Sequence, residues 1–191
     1  MKTATEAIQF LIDLLNELGI EHMLVGSLSS NFYGVARATR DADFVVSIRS
    51  EQWSTLLARL PSDFRIDPQQ SFETFTLTTR RILELPALPF TVELFDLSDD
   101  EHDQERFRRR VKVPTMGRSV ILPTAEDVVV QKLRWCSVSH RAKDYSDAVQ
   151  VLAVQGPVLD FNYIRHWCSE HGTSELLAQA IGDATLPDDE T

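Results

Sequence analysis

A chain of 191 residues, 43% of them hydrophobic, can bury a real core in one domain or in one catalytic lobe with a helical addition. No apolar run approaches the length of a membrane span, and a net charge of −10 argues against a protein that coats nucleic acid nonspecifically, since such binding works by neutralising phosphates. The first residues lack the basic stretch and apolar run of a signal peptide, so the expected location is the cytoplasm.

Ile8, Leu11, Ile12, Leu15 and Leu18 recur at helical spacing up to Gly19, which predicts an amphipathic helix over 4–18 that packs on a sheet. Residues 21–25 read as a short strand running into Gly26, and 27–33 as a helix. A second strand is expected over 41–48, where Phe44, Val45, Val46 and Ile48 are apolar. A helix over 51–60 ends at Pro61, and 72–78 alternates in the manner of a strand. Pro86 and Pro89 separate this segment from a further strand over 90–97. A helix is expected over 99–109, followed by a hairpin of 111–113 and 119–122 joined through Met116-Gly117. Thr124 then caps a helix, with Asp127 at its third position close to a capping box. Another helix runs over 141–155 to Gly156-Pro157, one capped by Asp160 continues to about Cys168, and a last one spans 173–181. The acidic tail Asp188-Asp189-Glu190 should fray. Cys136 and Cys168 form no Cys-x-x-Cys pattern and lie in apolar helical contexts, so buried free thiols are expected.

The chemistry concentrates at two short segments. Side chains alternate along a strand, so Asp41 and Asp43 share one face. Two carboxylates held that close repel each other unless something cationic sits between them, and a divalent metal is the usual answer. Upstream, Gly26 would let backbone approach a phosphate, and Ser27 opens a helix whose first N–H groups form an anion seat, adding a hydroxyl donor. A triphosphate bridged by Mg²⁺ needs both kinds of group. The plainer readings are an acidic pair that keeps a strand edge soluble and a serine that caps a helix.

Gly-Ser, a short helix and Asp-x-Asp on a strand resemble the signature of the DNA polymerase β-like nucleotidyltransferase superfamily, whose third carboxylate comes from a later strand. Here the candidate is Glu93. The block Pro123-Thr124-Ala125-Glu126-Asp127 leading into Lys132, and then Arg141-Ala142-Lys143-Asp144-Tyr145-Ser146-Asp147, is similar to bacterial AbiEii-type nucleotidyltransferases, a group that includes toxins of toxin–antitoxin and phage-defence systems. The resemblance covers about residues 5–155. It implies an α+β nucleotidyltransferase fold with a small mixed β-sheet, flanking helices and a helical C-terminal part. The catalytic core would be 1–122, with helices of 123–185 packed on it as one compact unit and 186–191 as tail. It also implies an NTP, two Mg²⁺ ions, an acceptor hydroxyl on RNA or protein, and an antitoxin as partner protein.

Under that resemblance Asp41, Asp43 and Glu93 are the catalytic, metal-holding acids, and Gly26, Ser27, Lys132 and Arg40 hold the nucleotide. Arg40 and Arg37 flank the turn, and Asp144 would hold Lys132 or help deprotonate the acceptor. Alternation alone does not choose between Glu93 and Asp96, which lie on opposite faces of one strand; the family pattern favours Glu93. Lys132 could instead snorkel to solvent, and Asp144 could serve the helix dipole or pair with Arg141 or Lys143. The basic run 106–112 either balances the acidic run before it or forms a contact surface for RNA or an acidic partner. His166 and His171 fit no zinc spacing and read as structural. The reading from another class is a non-catalytic module of the same fold that binds nucleotide or a partner and regulates without turnover.

Overall fold

The computed structural model describes residues 1–67, the backbone of 71–73, and 78–184. The chain divides into two units, one formed by Met1–Gly26 with Thr39–Leu122 and the other by Ser27–Ala38 with the chain from Pro123 onward. The segment after Gly26, Ser27–Ala38, goes with the helical unit. The predicted tail at 186–191 lies outside the described residues.

In the first unit, α1 (Ala4–Glu17) starts where the Thr3 side chain accepts from the Glu6 N–H and stops at Gly19, which takes φ +63°. β1 (Glu21–Val25) runs into α2 (Gly26–Tyr33), and β2 (Asp41–Ser47) returns antiparallel to β1. α3 (Ser50–Ala58) ends with Arg59 as its cap, short of Pro61, in keeping with the bias against helical backbone just before a proline. β3 (Arg65–Ile66) and β4 (Ser71–Glu73) both pair antiparallel with β5 (Thr78–Leu85), which pairs antiparallel with β6 (Phe90–Asp96). β6 lies parallel to β2, so the sheet runs β1-β2-β6-β5-β3, with β4 also on β5.

The strand expected over 72–78 is therefore part of a different arrangement. Its first residues form β4, 74–77 lie outside the described residues, and Thr78 begins β5, which the sequence reading missed. Arg80, Arg81 and Glu84 break the apolar alternation there, yet each is answered by a neighbour. Arg80 pairs with Glu93, Glu84 with Arg65, and Arg81 lies 3.8 Å above the Trp53 ring.

The two faces of this sheet differ. One carries buried His22, Leu24, Ala42, Phe44, Val46, Val92 and Leu94. The other carries Met23, Val25 and Val45, covered by Phe107 and Ile121 of α4 (Glu101–Arg109) and of the hairpin β7 (Val111–Thr115) and β8 (Arg118–Leu122). The hairpin turns through Met116 and Gly117 at φ +53° and +72°, the left-handed pair that a two-residue turn needs. Arg118 and Gln9 tie it to α1, Arg118 pairing with Asp13 and Gln9 Nε2 donating to the Met116 carbonyl at 2.6 Å.

The second unit is helical: α2 from Ser27 on, α5 (Ala125–Ser139), α6 (Ala142–Gln155), a short 3₁₀ turn, α7 (Phe161–Glu170) and α8 (Ser174–Asp183). Val129, Val130, Leu133, Ala148, Val151, Ile164, Cys168 and Ala180 fill its core. Thr124 caps α5 by accepting from Asp127 N–H, and Asp160 caps α7 from Asn162 and Tyr163. The Tyr33 hydroxyl donates to the Pro123 carbonyl at 2.9 Å, and Gln155 Nε2 donates to the Tyr33 carbonyl, also at 2.9 Å. Those bonds explain why the segment after Gly26 belongs with the distant helices. Burial, then the charges of Glu126 and Asp127, push the Tyr33 phenol up to about 12. Cys136 and Cys168 are free thiols, the second buried. Among the described residues, no helix is long and apolar enough to cross a membrane.

Candidate active site

The β2–β6 register determines which face each of the candidate acids shares. Asp41 faces Thr91 and Asp43 faces Glu93 in parallel pairing, so the three acids Asp41, Asp43 and Glu93 point from one side of the sheet. Asp96 belongs to the opposite face with Val92 and Leu94, where Arg81 lies 3.7 Å from its carboxylate. Burial raises the Asp96 pKa, with Arg81 only partly offsetting it.

Each acid of the trio has a defined neighbour. Thr39 Oγ1 donates to Asp41 Oδ1 at 2.5 Å, and Arg80 Nη1 donates to Glu93 Oε2 at 3.0 Å. Asp43 packs against the Gly26 backbone: a β-carbon at Gly26 would overlap Asp43 Oδ2 and lie 2.9 Å from Cγ. Gly26 itself has φ +65°, which turns the end of β1 into α2. The space that glycine leaves is thus filled by a carboxylate. Among the described residues no three His, Cys, Asp or Glu side chains are grouped closely enough to hold a metal ion, and Glu93 is engaged by Arg80. As donors, three carboxylates on adjacent strands match the hard-oxygen preference of Mg²⁺. Arg40 is exposed, and its carbonyl accepts from Thr91 N at 3.0 Å.

In the second unit the remaining candidates form an ionic cluster. Lys132 Nζ lies 3.0 Å from Asp144 Oδ1 and 2.7 Å from Asp147 Oδ2, with all three side chains under a tenth exposed. Arg141 Nε reaches Asp144 Oδ2 at 2.9 Å. Arg37 grips Asp147 through Nε and Nη2, each at 2.8 Å, and Nη2 also donates to Ser27 Oγ at 3.0 Å. Ser30 Oγ adds a bond to Asp147 Oδ2 at 3.2 Å. Burial alone would raise the Asp147 pKa, but hydrogen bonds and charge from Arg37 and Lys132 outweigh it and hold the carboxyl below the usual carboxylate range.

Lys132 is therefore held within the unit by two carboxylates, neither snorkelling nor reaching outward. Sequence reasoning had no role for Asp147 or for Arg37 at Ser27. The signal was available in the spacing: Asp144 and Asp147 stand three apart, on one face of a helix. Three arginines of the basic run are also paired within the chain. Arg106 is buried and pairs with Asp103 at 2.8 Å, Arg108 pairs with Glu105, and Arg110 pairs with Glu21 at 2.6 Å. His166 and His171 pack on Trp167, with ring centroids at 5.0 and 5.9 Å.

No family model matches the chain, and no curated protein matches its sequence. Solved structures do match it. An antigenic nucleotidyltransferase-like protein from Paracoccidioides brasiliensis is 17% identical with a TM-score of 0.61, covering 94% of this chain and 92% of its own. The antibiotic-resistance factor ANT(2'')-Ia, in solution, has a TM-score of 0.62 at 12% identity, over 94% of this chain and 97% of its own. The lincosamide antibiotic adenylyltransferase LnuA, lincomycin-bound, has a TM-score of 0.57 at 11% identity, over 81% of this chain and 99% of its own. At such identities what is shared is the architecture, and this chain has the nucleotidyltransferase fold: a mixed sheet with flanking helices.

Proposed function

We propose that the protein transfers an NMP group from an NTP to an acceptor hydroxyl. The acceptor oxygen forms a bond to the α-phosphorus, the bond to the β-phosphate oxygen breaks, and pyrophosphate leaves. The observation that carries this reading is the β2–β6 register, which sets Glu93 beside Asp43 on the face that also bears Asp41. The fold likeness supports it, as the matching structures include an adenylyltransferase.

Asp41, Asp43 and Glu93 would hold Mg²⁺, as two ions, with Glu93 exchanging its bond to Arg80 for the metal. When bound, the metal supplies charge for the phosphate oxygens and makes the attacking hydroxyl more acidic. The chain's own part is positioning. Ser27 and the first N–H groups of α2 take phosphate oxygens, Gly26 leaves Asp43 its place, and Arg40 supplies exposed positive charge next to Asp41. Lys132 and Asp144 belong to the nucleotide-binding group as its buried anchor.

The AbiEii-type motifs favour a hydroxyl of RNA or protein as acceptor, with an antitoxin partner and a role in a toxin–antitoxin or defence system. The antibiotic-modifying proteins among the matching structures, whose lengths this chain spans almost completely, favour a second reading in which the acceptor is a small molecule. One experiment separates these. The protein is incubated with Mg²⁺, each α-labelled NTP, and separate pools of RNA, cell protein and small metabolites, beside an Asp41→Ala control. Label that enters one pool and vanishes in the control identifies donor and acceptor. Thermal stabilisation by an NTP without transfer to any pool would favour a regulatory nucleotide-binding module instead.

A further inference from the structure

Through Arg37 the ionic cluster of the second unit reaches the Ser27 hydroxyl. Lys132 holds Asp147, Asp147 holds Arg37 by two parallel N–H bonds, and the Nη2 of that guanidinium donates to Ser27 Oγ. Ser27 is buried at 5% exposed, and Arg37 is the one outward member of this chain of contacts. Lys132 and Asp147 are 9% and 7% exposed, while the Arg37 side chain is 36% exposed. Lys132 faces two carboxylates at contact distance, so its charge is answered inside the unit. The cation that reaches Ser27 is Arg37.

A serine hydroxyl has one proton to give and two lone pairs with which to accept. When a guanidinium N–H occupies a lone pair, the hydroxyl proton is left for another acceptor, and the polarised O–H is the stronger donor. A phosphate oxygen suits such a donor. The planar fork of Arg37 fixes this arrangement in a way that a lysine ammonium would not, because two of its N–H bonds are already committed to the Asp147 carboxylate.

We propose that Arg37, clamped by Asp147, is a positioning residue that sets the Ser27 hydroxyl as a donor to a triphosphate oxygen, and that Lys132 serves the nucleotide only through Asp147. This rests on the nucleotide reading above. It moves the electrostatic role that the motifs gave to Lys132 onto a residue they did not single out.

A double-mutant cycle read by nucleotide affinity tests it. Wild type, Ser27→Ala, Arg37→Lys and the double variant are each dialysed against every NTP with Mg²⁺, and against adenosine as a phosphate-free probe. Each single variant should weaken NTP binding by about tenfold, the loss expected for one charge-assisted hydrogen bond, and leave adenosine binding unchanged. The double variant should bind no more weakly than the poorer single. Multiplying losses of about a hundredfold, or wild-type affinity in Arg37→Lys, would overturn the relay. A purely structural role would lower the melting temperature and weaken adenosine along with NTP, which also overturns it. If Arg37→Lys does not fold, Arg37→Gln completes the same cycle. Absence of NTP binding by the wild type would sink the nucleotidyltransferase reading itself, an outcome distinct from additive losses on a protein that binds.

Discussion

The Asp43 carboxylate occupies the space that a side chain on Gly26 would need. Gly26 also has φ +65°, where any side chain adds strain. Gly26→Ala should therefore cost about 1–2 kcal/mol from backbone conformation, lowering the melting temperature by roughly 2–8 °C in a chain of this size. Its larger effect should fall on catalysis, because the added methyl displaces Asp43. Transfer activity should drop by more than tenfold at saturating NTP. Calorimetry and labelled-nucleotide transfer on the same sample check both, and full activity in a destabilised variant would count against Asp43 as a metal ligand.

Glu93 and Asp96 give a sharper contrast. Glu93→Gln keeps the side chain's length and an acceptor for Arg80 but removes a charge from the acidic face, so kcat should fall by about a hundredfold or more while melting temperature barely moves. Asp96→Asn changes the opposite face, where it weakens a half-buried partner of Arg81. It should alter stability and leave kcat within a few-fold. Reversed outcomes would assign the third acid to Asp96.

The elements were legible where one physical signal dominated. Thr124 and Asp160 declare helix starts by their capping oxygens, and Met116-Gly117 declares its hairpin by the need for positive φ. β5 was hidden because period-2 patterning counts charged residues as outward, whereas Arg80, Arg81 and Glu84 each meet a partner on a neighbouring strand or helix. At the candidate site, the shared face of Asp41 and Asp43 follows from alternation within one strand. That Glu93 shares this face and Asp96 does not is a matter of register between distant strands, a tertiary property. Arg37 was placed beside the turn, but its bond to Asp147 was hidden for the same reason, since the two lie 110 residues apart.

Lys132 offers a stability test that is independent of any ligand. Lys132→Met removes the cation between buried Asp144 and Asp147, which keep Arg141 and Arg37, so the loss should be at most the value of about 3–5 kcal/mol for buried pairs broken outright. The triple change Lys132→Met, Asp144→Asn, Asp147→Asn should recover part of that loss. Asp147 also predicts acid sensitivity. Its folded pKa lies below the unfolded value, so its stabilisation is complete above about pH 4 to 5 and disappears as pH falls through the folded pKa. Urea midpoints from pH 6 downward should fall less steeply in Asp147→Asn than in wild type. Parallel curves would mean that Asp147 does not supply the acid limb.

His22 predicts a second, separate pH window. It is 2% exposed on β1, its Nδ1 is 3.0 Å from the Ile20 carbonyl, and its Nε2 has no hydrogen-bond partner among the described residues. Burial lowers its pKa, the Ile20 bond opposes that shift, and the positive charge of Arg110 adds to it. The unfolded chain then binds more protons than the folded one between the depressed folded pKa and about 6.5. Stability is complete above that upper value and declines as pH falls below it, by at most about 1.4 kcal/mol per pH unit for one proton. His22→Leu removes the titration, so the difference between variant and wild type should shift in the variant's favour from pH 7 to pH 5. A difference that stays constant across that range would show that the imidazole does not titrate differently in the two states.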